Sequence, residues 1–74
     1  MQEKYENLAN TIIKQAAKDL RSSLKALSRN PHDKAAKGTV FEIKSFFFSQ
    51  YYEVLSKTNG RVLFSMIVEE YAND

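Results

Sequence analysis

Five basic side chains, Lys14, Lys18, Arg21, Lys25 and Arg29, recur at spacings of 4, 3, 4 and 4 along one uninterrupted stretch. At 100° per residue they fall within an arc of about 80°, a ridge about 22 Å long. The chemistry open to such a ridge is electrostatic recognition of a phosphate backbone or of an acidic groove on a protein. Asp19 is the one acid inside the stretch, and it is expected to pair with a basic side chain such as Lys44 or to cap a neighbouring helix end. A helix that buries one face must also solvate the other, and lysine and arginine do that without binding anything.

A second group combines Phe41, Phe46, Phe47, Phe48, Tyr51 and Tyr52, six rings within twelve residues. Three consecutive phenylalanines on a helix diverge by about 100° each, so they cannot all face one core. Rim aromatics are what binding hot spots use, which makes Phe46, Phe48 and Tyr52 candidates for partner binding beside the ridge. A helix break near Ser49 would instead let all three phenylalanines pack.

Other chemistry finds little material. The chain has no cysteine, which removes disulfides, thiolate metal sites and thiol nucleophiles. It has one histidine, His32, which beside Asp33 reads as the first turn of a helix rather than a metal site. None of the serines stands in a nucleophile motif, and no carboxylate pair has a usable spacing. The reading is therefore of a non-enzyme, with no catalytic residue, no metal and no cofactor.

The elements that must position these groups follow from the apolar pattern. Leu8, Ile12, Ala16, Leu20, Leu24 and Leu27 mark a first helix from about Gln2 to Arg29, with Tyr5, Ala9, Ile13 and Ala17 widening the stripe. Asn30-Pro31 ends it and is expected to open a second helix, Pro31 to Phe47, buried through Ala36, Val40, Ile43 and Phe47. Ser49 is expected to cap a short third helix, Gln50–Ser56, that buries Tyr51 or Tyr52, Val54 and Leu55. A Lys57–Gly60 turn with Asn59 or Gly60 at positive φ then leads to a last helix, Arg61 to Ala72, with Val62, Leu63, Met66, Ile67 and Tyr71 inward. The expected fold is all-α: one domain, 1–74, a small bundle of three main helices plus one short one.

With 74 residues, nearly every apolar side chain is needed for the core. The net charge of +2 conceals a segregation. Lys14 to Lys44 holds eight basic and three acidic residues, a net of +5, while the rest is −3. No secretory signal or membrane-length apolar run is visible, so a cytoplasmic location is expected and no membrane partner.

Three segments also carry a resemblance: Gln15-Ala16-Ala17-Lys18-Asp19-Leu20-Arg21, then Leu24-Lys25-Ala26-Leu27 with Asn30-Pro31, then Ile43 to Leu55 with its Phe46-Phe47-Phe48-Ser49-Gln50-Tyr51-Tyr52 core. Together they resemble a family of very short helical proteins encoded in phages and prophages of Gram-positive bacteria. The resemblance spans about Leu8 to Leu63 and implies a phage context inside a host cell. It also implies stoichiometric binding to a host protein, with inhibition of a CRISPR effector nuclease as one such role. The rival readings are a small nucleic-acid-binding regulator using the same ridge, and a helical homo-oligomer or homodimer closed by an exposed ring.

Overall fold

A computed structural model describes the backbone from residue 2 to 72 and the side chains from 8 to 71. The glycine- and proline-free first stretch is a single helix, α1 (Gln2–Arg29), of 28 residues. At 1.5 Å per residue it is about 42 Å long and sets the 44 Å long axis of the molecule. The others are α2 (Lys34–Phe47), α3 (Gln50–Leu55) and α4 (Gly60–Ala72), so three main helices and one short one form an all-α bundle, with no strand among the described residues.

The buried row of α1 is rotated from the expected one. Residues spaced strictly by four advance about 40° per step, so Leu8 lies about 120° from Leu20 and points away from the bundle. It is 59% exposed, whereas Ala9, Ala17 and Leu20 are buried and Ile13, Ala16 and Leu24 pack beside them. The three-residue step from Ala17 to Leu20 keeps this second row on one face.

The start of α2 also differs. Asn30, Pro31 and His32 form a turn in which Asn30 Oδ1 accepts from the His32 N–H and the Asn30 carbonyl from the Asp33 N–H. The cap is Asp33, whose carboxylate accepts from the Ala36 N–H at 3.0 Å. An ionised acceptor at the N-terminus serves both the orphan N–H groups and the dipole, so α2 starts at Lys34 rather than Pro31. Its inner row matches expectation, with Ala36, Ile43 and Phe47 buried and Val40 packed against the core.

At the far end of α2, Ser49 holds two helices together. Its hydroxyl donates to the Phe46 carbonyl (2.6 Å) and accepts from the Tyr52 N–H (3.2 Å), which closes α2 and caps α3. Of the side chains α3 was expected to bury, Tyr52 is inside at 1% exposure, while Val54 lies open at 83%. A helix of six residues presents only one inward turn.

The turn before α4 has no residue at positive φ, contrary to expectation. Asn59 caps α4 from an ordinary conformation, its Oδ1 accepting from the N–H groups of Arg61 and Val62. Gly60 is required for closeness instead. A Cβ there would run into the Phe47 carbonyl and come within 2.9 Å of the Tyr52 ring. The core closes where these elements meet, on Leu20, Ile43, Phe47, Tyr52, Phe64 and Ile67. Tyr52 stands 5.3 Å from Phe47, and Phe47 stands 6.2 Å from Phe64, ring centre to ring centre.

Candidate functional site

All five ridge residues are exposed on the outer face of α1. Four of them, Lys14, Lys18, Lys25 and Arg29, have no acidic partner among the described residues. The fifth, Arg21, sits at the edge of the ridge nearest α4, where its Nε lies 3.5 Å from Glu70 Oε2. With about half of each side chain in water, that pair contributes no more than about 1 kcal/mol. Asp19 neither meets Lys44 nor caps a helix. It accepts a hydrogen bond from Gln15 Nε2 at 2.9 Å, one turn back on the same helix.

The three aromatic candidates separate. Tyr52 is removed from the surface: at 1% exposure it is a core residue, its ring against Phe46 and Phe47 and its hydroxyl hydrogen-bonded to Thr58 Oγ1 at 2.7 Å. Phe46 is half-buried and packs 5.3 Å from Phe47 and 6.1 Å from Tyr51. Phe48 stays at the surface, 38% exposed, with its edge geometry set by Phe64 at 5.7 Å. Lys44 Nζ and the Arg61 guanidinium lie over this ring at 5.5 and 4.9 Å. A ring with cations on it offers charge more than apolar area.

The sequence pattern also placed Val62 and Met66 inside, yet they are 53% and 57% exposed. The buried row of α4 is Phe64 and Ile67, with Leu63 and Val68 beside it. Val62 and Met66 fall about 140° and 100° round from Ile67, which takes them off that row. The signal that could have found this was Phe64, a larger apolar residue whose burial turns the helix.

One ion pair links α4, which carries the exposed strip, to the α1 ridge. Met66 stands one turn before Glu70, and Glu70 is the residue that meets Arg21. Beside Met66 is an open hollow of about 310 Å³ lined by Thr58, Asn59, Val62, Leu63 and Met66. The Val62–Met66 strip and its shallow recess are thus linked to the α1 ridge through the Arg21–Glu70 pair, Glu70 standing one turn beyond Met66. A second groove, of about 560 Å³, lies between Phe48, Glu53 and Arg61 and adjoins the hollow at Thr58 and Asn59, which line both.

No helix among the described residues is long and apolar enough to cross a membrane, and no group of three or more potential metal-ligating residues occurs among them. Comparison with known proteins returns no matching family model, no matching curated protein and no matching solved structure.

Proposed function

We propose that the chain is a non-enzymatic protein-binding module that acts by stoichiometric docking onto a larger protein. The observation that carries this reading is the link, through the Arg21–Glu70 pair, between the Val62–Met66 strip and the α1 ridge. Protein interfaces combine an apolar centre with a charged rim, whereas a surface that follows phosphates needs only the charge. In so small a domain, large apolar side chains left in water are stability forgone, so a cover for them accounts for their position. The resemblance to phage-encoded proteins adds a partner class: a host protein, with a CRISPR effector nuclease as the leading example.

The test is capture by the tagged protein from a host lysate, repeated after nuclease treatment. Retention of one defined protein after nuclease, and its loss with Val62→Ser combined with Met66→Ser, is the expected result. Loss of all capture on nuclease treatment would put a nucleic-acid ligand on the ridge in its place. A chain that captures nothing and sediments as a dimer through the same strip would make the face a homo-oligomer contact.

A further inference from the structure

A second face, on α2, has a different make-up. Lys34, Lys37, Phe41 and Lys44, with Phe48 at the C-cap, are all exposed and fall within about 80° of arc, displaced about 120° from the buried row through Ile43 and Phe47. Cation and ring interleave along about 21 Å of helix, and Arg61 of α4 extends the series at the Phe48 end. The one acid of α2, Glu42, lies about 100° round from Phe41 and outside the stripe.

The two rings differ in availability. Phe48 has Lys44 and Arg61 over it and mounts two positive charges at one end of the stripe. Phe41 is 69% exposed, with no ring or cation partner among the described residues, and stands between Lys37 and Lys44 one helical turn away on either side. We propose that this stripe binds single-stranded nucleic acid, with Phe41 as a platform for one base and Lys34, Lys37, Lys44 and Arg61 along the backbone phosphates.

The arrangement fits a single strand better than its rivals. Stacking on Phe41 requires a base that is free of its own stack, which a duplex does not offer. A protein helix laid on the stripe would meet lysine at alternate contact positions and find one open ring as its apolar anchor. An extended strand uses both features, since every base has a π-face and every linkage a charge.

Fluorescence anisotropy with a labelled oligothymidylate of about 20 nucleotides tests this. The native protein should bind it more tightly than a duplex of equal length, with a log–log salt slope of about −2 to −3 for three to four contacts. Phe41→Ala should weaken binding about tenfold or more, and Phe41→Tyr, which keeps the ring, should restore it. Lys37→Glu with Lys44→Glu should remove it, while Lys14→Glu with Lys18→Glu on the α1 ridge should weaken it far less. Circular dichroism of each variant confirms that the exposed substitutions leave the helices in place. Binding by Phe41→Ala equal to native would overturn the proposal. So would loss only with the ridge variant, or displacement by polyglutamate as effective as by unlabelled oligonucleotide, which would mark an acidic-protein site.

Discussion

Gly60 and Gly38 respond oppositely to the same substitution. Gly60 is buried at the first position of α4, with the Phe47 carbonyl and the Tyr52 ring where a Cβ would stand. Gly60→Ala should therefore destabilise the domain by about 2–3 kcal/mol, most of what a core this small supplies. Gly38 sits in α2 with nothing within 4 Å of its added Cβ, so Gly38→Ala should stabilise by about 0.5–1 kcal/mol. Urea denaturation of the two variants checks both signs, and equal effects would contradict the packing described at Gly60. Composition alone marked Gly60 as a turn residue and suggested positive φ. The actual reason, a close approach between helices, is a tertiary fact that no local pattern contains.

Helix boundaries depend on caps, and caps were readable to unequal degrees. Ser49 was identifiable because it separates two apolar rows that cannot share one axis. Ser49→Ala should cost about 1 kcal/mol, as should Asp33→Ala, both measured by thermal denaturation. An unchanged midpoint for Asp33→Ala would return the start of α2 to Pro31. Asn30-Pro31 is an equally good helix opening on local grounds; what distinguishes Asp33 is its carboxylate reaching the Ala36 N–H. The inner rows were legible where a large residue anchored them, as with Phe47 in α2. Phe47→Ala should cost about 3–5 kcal/mol and leave the chain largely unfolded. Phe48→Ala, at the surface, should cost under about half of that. The rows were misread in α1 and α4, where several apolar residues of similar size compete and the neighbouring helix decides which face turns inward.

On the scale of the whole molecule, the segregation of charge along the chain becomes a surface, five cations on the outer face of α1, and α4 leaves Val62 and Met66 exposed. The ridge of α1 was legible from spacing, because a 3.6-residue period is a property of the helix alone. The apolar strip of α4 was not, since Val62 and Met66 count as core until the rotation of α4 is known. The central claim is that these two features form one protein-binding face. It is tested most directly by the affinity of the captured, nuclease-treated partner for the native chain and for Val62→Ser with Met66→Ser, each measured over a range of salt. The account predicts a loss of about tenfold or more in the variant, at unchanged helix content, and a shallow salt dependence for the native chain, because apolar burial is not screened. Equal affinity of variant and native chains, together with a log–log slope of about −3 to −4 on duplex DNA, would contradict it and assign the ridge to phosphates.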